Sequence, residues 1–230
     1  EAIAGRLRYV DKRLPYASKD SIYRYLRSVH GRRLEAYRAR RKPKARHKRP
    51  KVTALTDRVF IDKRPRIINA RGRVGDVEAD FIVSGKTGRG ILLTVVCRKL
   101  RVAFVEKINP VTIENVHHAF LRICEKFPEM KTVSTDNDIL LQKHTELAKL
   151  LRVKIYFCHP YHSWEKGSNE NANGHIRKYI PKGADISFYS TAFIKKVEEK
   201  LNGRYLKCLQ YRTPTEALER HRKRKKRRSA

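Results

Sequence analysis

At 230 residues with 40% hydrophobic content, the chain can bury one real core plus a small extra module. Its 55 Lys and Arg against 23 Asp and Glu give a formal charge of +32, a surface that repels itself unless a polyanion neutralises it, and nucleic acid is the natural one. No run approaches the roughly 18 apolar residues of a membrane-spanning helix and no signal-peptide layout is present, so no membrane partner is expected.

Residues 1–30 carry a helical pattern. Ile3, Leu7 and Val10 share one face, and after a break at Pro15 the hydroxyl of Ser18 stands as an N-cap ahead of Ile22, Tyr23, Leu26 and Val29. Two short helices separated by a turn read as a small N-terminal helix-turn-helix module, with Lys19, Arg24 and Arg27 of the second helix expected to contact DNA. Residues 31–73 form a basic linker whose densest part includes Arg40, Arg41 and Lys42 between scattered prolines. Like charges and prolines oppose a helix there, and phosphate contact is the expected role.

From residue 74 the pattern changes. Val77, Ala79, Phe81 and Val83 alternate with Glu78, Asp80 and Ile82, the signature of a strand with one face in a core. Strands follow at Ile91–Cys97 and Val102–Glu106, a helix over Val111–Phe127, a strand at Thr132–Asp136, a helix over His144–Leu151 and a strand at Val153–Cys158. Three antiparallel strands followed by alternating helices and strands predict an α/β domain of the RNase H-like kind over 74–219. Further helices are expected at Asn169–Tyr179, Thr191–Leu201 and Pro214–Arg220, and the basic tail 220–230 is expected to be disordered without DNA. The four cysteines form no Cys-x-x-Cys pair, so free thiols in a reducing compartment are expected.

Asp80 lies mid-strand, Asp136 ends another strand, and Glu170 sits on a helix. Phosphodiester cleavage and strand transfer are served by two divalent ions about 3.5–4 Å apart. Hard oxygen ligands on separate elements suffice to hold them. Helical periodicity puts Glu170, Asn173, Gly174 and Arg177 on one face, with Ala172, Ile176, Tyr179 and Ile180 on the other.

The run Trp164-Glu165-Lys166-Gly167-Ser168-Asn169-Glu170-Asn171-Ala172-Asn173-Gly174, followed by Ile176-Arg177-Lys178-Tyr179 and Pro181-Lys182-Gly183, closely resembles the catalytic domain of the IS-thirty insertion-sequence family of bacterial transposases. Further matches run in register: Glu78-Ala79-Asp80, Thr135-Asp136-Asn137, His144, Pro160-Tyr161, Leu201-Asn202 with Arg204, and Tyr211-x-Thr213-Pro214-x-Glu216. Ile3-Ala4-Gly5-Arg6-Leu7 and Ser21-Ile22-Tyr23-Arg24-Tyr25 resemble the family's second helix-turn-helix, and Arg64-Pro65 its entry to the core. The resemblance covers roughly residues 2–219 and departs at Asp138, where the family carries glycine, and at Leu140-Leu141 in place of a Glu-Phe pair.

What the resemblance implies is a DDE transposase with an integrase-like core, cutting and joining DNA at the inverted repeats of its element. Asp80, Asp136 and Glu170 become the catalytic, metal-binding triad for two Mg²⁺ or Mn²⁺ ions, and Asn173, Arg177 and Lys182 position the DNA backbone. A homodimer or larger assembly on double-stranded DNA is implied, in the bacterial cytoplasm at the nucleoid, and the chain is expected to lack the most N-terminal segment of such a protein. The rival readings are a non-catalytic DNA-binding regulator built on a degenerate core and a generic RNase H-like nuclease that cuts without joining.

Overall fold

The computed structural model describes residues 1–31, 55, 57–159 and 166–229. Arg40, Arg41 and Lys42 of the expected linker, and Pro160, Tyr161 and Trp164 of the signature, lie outside the described residues. The chain forms two units, one of residues Lys51–Asn202 and one made of Glu1–Pro50 together with Gly203–Ala230.

In the larger unit, β1 (Asp76–Val83), β2 (Ile91–Cys97) and β3 (Ala103–Ile108) form an antiparallel meander. Then β4 (Thr132–Thr135) pairs parallel with β1, and β5 (Lys154–Phe157) parallel with β4. The sheet order β3-β2-β1-β4-β5, with helices between the parallel strands and over both faces, is the RNase H-like fold.

The helix α4 (Ile113–Lys126) starts where Thr112 Oγ1 accepts the Asn115 N–H at 3.1 Å, and it buries Val116, Ala119, Phe120 and Ile123 against β2 and β3. Beyond it, Phe127 packs on Phe104 of β3. The opposite face is covered by α6 (Gly167–Ile176) and α7 (Thr191–Asn202), whose Ala172, Ile176, Ile194, Val197 and Leu201 meet Ile82, Leu92, Val96 and Val105. Covered on both sides, β2 has no exposed residue, which is why it reads as an unbroken apolar run. Between β4 and β5 stands α5 (His144–Leu151), and a single turn, α3 (Arg66–Asn69), precedes β1.

The Pro181-Lys182-Gly183 motif is a turn with Gly183 at φ +94°, and Gly85 approaches it so closely that a Cβ there would lie 2.3 Å from the Gly183 carbonyl oxygen. That approach fixes the β1–β2 loop against the segment that follows α6.

The smaller unit joins the two ends of the chain. Helices α1 (Ala2–Tyr9) and α2 (Lys19–Arg27) are separated by a turn, and Ser18 Oγ caps α2 by accepting the Ser21 N–H at 3.1 Å. The guanidinium of Arg6 donates to both carboxylate oxygens of Glu216, at 2.6 and 2.7 Å, and to Asp11 at 2.7 Å. Its hydrogen bond and charge hold the Glu216 carboxyl down to about 2, from an ordinary 4.5. Tyr9 stacks on Tyr211 at 5.6 Å, and Gly5 leaves the space that the Tyr211 ring occupies. The motifs around Gly5-Arg6 and Tyr211–Glu216, far apart in sequence, are two halves of one contact.

Two expectations change. Residues 203–219, assigned from sequence to the catalytic domain, belong with the N-terminal helices, because their stacking and ion-pair partners are Tyr9, Arg6 and Glu1. The tail expected to be disordered continues α8, which runs Pro214–Ser229. Thr213 and Glu216 form a reciprocal capping box, with Thr213 Oγ1 accepting the Glu216 N–H at 3.1 Å and Glu216 Oε2 accepting the Thr213 N–H at 2.8 Å. Pro214 follows at the first helical position, and Arg and Lys are good helix formers thereafter.

Candidate active site

Strand register brings two of the three acids together. Glu78 of β1 stands opposite Ser134 of β4 in a parallel pairing, so Asp80, two residues further along β1, and Asp136, just past the end of β4, lie at the same end of the two strands. Between them sits Lys166, 4% exposed, with Nζ 3.0 Å from Asp80 Oδ1 and 2.8 Å from Asp136 Oδ2. The two carboxylate oxygens are therefore no farther apart than the sum of those distances. Burial opposes the charge on Lys166, yet Asp80 and Asp136 outweigh it and its pKa is raised. A cation is thus already favoured at this point between the two carboxylates.

The second oxygen of Asp80 accepts the Asn173 Nδ2–H at 2.7 Å. In turn Asn173 Oδ1 lies 3.0 Å from Thr94 Oγ1, on the β2 residue paired with Asp80. Asn173, expected at the DNA backbone, is hydrogen-bonded to Asp80 and orients it. Arg177 is also engaged inside the domain, donating to the carbonyls of Val83 at 3.1 Å and Pro181 at 3.2 Å. Lys182 is exposed.

Glu170 lies one turn before Asn173 on α6, on the same side of the helix, and is exposed with no hydrogen bond or ion pair among the described residues. Among those residues no three His, Cys, Asp or Glu side chains are close enough together to hold a metal ion. Asp80 and Asp136 are assembled, and Glu170 stands apart with its carboxylate uncommitted. Two adjacent carboxylates that already share a cationic group are hard oxygen donors of the kind a divalent ion takes.

Asp138, the departure from the family pattern, caps the turn that follows β4, its Oδ1 accepting the Leu140 N–H at 2.9 Å. Burial pushes its carboxyl up, and the charges of Asp80 and Asp136 add to that. His144 is buried against Phe157 and hydrogen-bonded to the Leu141 carbonyl at 3.2 Å, a packing role. His159 stacks on Phe60 and pairs with Asp62.

Sequence reasoning assigned no role to Glu78, the residue that sets α6 in place. Fully buried, it pairs with Arg98 through one oxygen, while the other accepts the backbone N–H groups of Ser168 at 2.9 Å and Asn169 at 3.1 Å. A carboxylate satisfies two of the unpaired amides at the positive end of the helix that carries Glu170 and Asn173. Arg98 is held in turn by the Ile68 carbonyl at 3.3 Å. The signal was in the sequence, as an acid two residues before Asp80 on the same face of β1.

Against known proteins, no family model matches the chain. It is 38% identical over 94% of its length to the transposase for insertion sequence element IS4351 of Bacteroides fragilis, covering 67% of that protein. The chain belongs to the IS30 family of insertion-sequence transposases. Within that family it is also 33% identical to the probable transposase for insertion-like sequence element IS1161 of Streptococcus salivarius, over 86% of this chain and 57% of that protein. With transposase InsI for insertion sequence element IS30A of Escherichia coli (strain K12) it shares 31% identity, over 91% of this chain and 54% of that one. The chain therefore spans between 54% and 67% of the length of these curated relatives. Among solved structures, the catalytic core domain of BIV integrase matches with a TM-score of 0.49 at 17% identity, over 65% of this chain and 97% of that one. The fold assignment rests on strand order and pairing.

Proposed function

We propose that this chain carries the catalytic core of a DNA transposase that cuts at the ends of an insertion sequence and joins them to target DNA. The observation that carries this reading is the meeting of the Asp80 and Asp136 carboxylates, at the same end of the adjacent parallel strands β1 and β4, on the buried ammonium of Lys166. Asp80, Asp136 and Glu170 are the residues that would hold two Mg²⁺ or Mn²⁺ ions. Bound there, such ions supply an activated hydroxyl nucleophile and neutralise charge on the leaving oxygen. Asn173 fixes the orientation of Asp80, and Lys166 offsets the repulsion between Asp80 and Asp136. Glu78 and Arg98 hold α6 so that Glu170 faces the same region as Asn173. Lys182 is the exposed cation on the turn after α6 that we assign to the DNA backbone.

In this reading α1 and α2 are a helix-turn-helix in which Lys19, Arg24 and Arg27 contact DNA, and all three are exposed. Joining two ends requires at least a dimer on the DNA. The bacterial relatives fit a protein of the cytoplasm that works at the nucleoid, and among the described residues no helix is long and apolar enough to cross a membrane.

The test is incubation of the purified chain with end-labelled inverted-repeat duplex, target DNA and Mg²⁺, with products separated on a denaturing gel. Cleaved 3′ ends covalently joined to target are expected. Nicks without joining would favour a generic nuclease, and a mobility shift with no new strand ends would favour a DNA-binding regulator. Either outcome overturns the proposal.

A further inference from the structure

The terminal unit is a third of the chain, yet it holds half of all Lys and Arg and only a quarter of the acids. Excess charge is concentrated in this unit, and the carboxylate site belongs to the other. Two described helices present it. On α2, Lys19, Arg24 and Arg27 line one side with Tyr23. On α8, Arg220, Lys223, Arg224 and Arg227 line another, spaced at i, i+3, i+4 and i+7, and all four are exposed.

Glu216 and Glu219 stand one turn before Arg220 and Lys223 on the same side, but past Glu219 no acid occurs in the sequence, so Arg224 and Arg227 have no acid three or four residues away on the helix. What holds α8 is its N-terminal turn: the Thr213–Glu216 capping box and the Arg6 fork, which anchors it to α1. The basic half continues α8 from that anchored turn. It also has no large apolar residue after Leu218, so it lacks the hydrophobic face an interfacial membrane helix needs. A duplex, with one negative charge per roughly 1.7 Å of its axis, is the complementary polyanion for about 15 Å of such helix.

We propose that α8 is a second DNA-contacting element, which binds the phosphate backbone of duplex DNA through Arg220, Lys223, Arg224 and Arg227. It is built into the same module as the helix-turn-helix by the clasp between the two chain ends. The proposal rests on the reading that the chain acts on DNA and adds where the backbone is gripped.

The test is duplex binding by the full chain, followed by fluorescence anisotropy across a salt series. Replacing Arg220, Lys223, Arg224 and Arg227 with Gln keeps helix propensity and should flatten the plot of log K against log salt by about 0.9 for each phosphate no longer neutralised, so by about 2 to 4 overall. Should the quadruple variant fold poorly by circular dichroism, Lys223→Gln alone should flatten the slope by about 0.9. A wild-type slope in a folded α8 variant overturns the proposal, and so does a loss seen on single-stranded RNA but not on duplex DNA. A parallel variant with Lys19, Arg24 and Arg27 changed to Gln separates the two layers. If it weakens binding while the α8 variant does not, only the α8 assignment fails. If the wild-type chain shows no salt-dependent duplex binding at all, the DNA reading itself fails.

Discussion

Asp136→Asn is expected to slow Mg²⁺-dependent strand cleavage about a thousandfold, equivalent to about 4 kcal/mol of lost transition-state stabilisation, while duplex binding stays equal or tightens. Asparagine matches aspartate in shape but removes the anionic oxygen that now faces Lys166 at 2.8 Å, the position from which it would bind a divalent ion. The fold should survive, because Asp136 is exposed just past the end of β4 and its side chain packs into no core. DNA binding should not fall, because one negative charge has been removed from a surface that meets phosphates. Single-turnover cleavage of labelled duplex, paired with binding in EDTA, reads both effects. An undiminished cleavage rate in a folded variant would remove Asp136 from the catalytic set.

Glu78→Leu should be the most destabilising single change near the site, at about 3–5 kcal/mol. The substitution leaves Arg98 charged and buried without its carboxylate, and it strips two helix N–H groups of their acceptor. Since domains are stable by only about 5–15 kcal/mol, urea unfolding should shift to much lower concentration. Glu78→Gln retains an acceptor for α6 and should recover part of the stability, though Arg98 still lacks a counter-charge. A Glu78→Leu variant within about 1 kcal/mol of the wild type would mean that α6 is held by its apolar face alone.

Much of this was legible beforehand because it is encoded locally. The apolar run Ile91–Cys97 and the helical period of His144–Leu151 match the structure residue for residue, and Ser18 caps α2 as its sequence position indicates. Asp80 and Glu170 fell on the expected strand and helix, while Asp136 lies one residue past the end of β4. Tertiary partners were not legible. The alternation in β1 sets Glu78 and Asp80 apart from Val77 and Ala79, as on a strand with one polar face, whereas α6 covers that face and the two carboxylates work beneath it.

The roles of Glu78, Lys166 and Asn173 depend on partners about ninety positions away in sequence, which no periodicity records. Helix spacing put Asn173 and Arg177 on the side of Glu170, but it fixes a side and not the neighbour on that side. The final helix was readable from Thr213-Pro214 and Glu216, a capping signal outweighed by the charge run that follows it.

Mn²⁺ binding, followed by the decrease of its free-ion electron paramagnetic resonance signal in the presence of inverted-repeat duplex, tests whether Asp80, Asp136 and Glu170 share one cation site. Asp80→Asn, Asp136→Asn and Glu170→Gln should each weaken binding by at least about tenfold, roughly 1.4 kcal/mol per carboxylate ligand removed. Wild-type Mn²⁺ affinity in Glu170→Gln would contradict the account, leaving a two-carboxylate pair held by Lys166 and no catalytic triad.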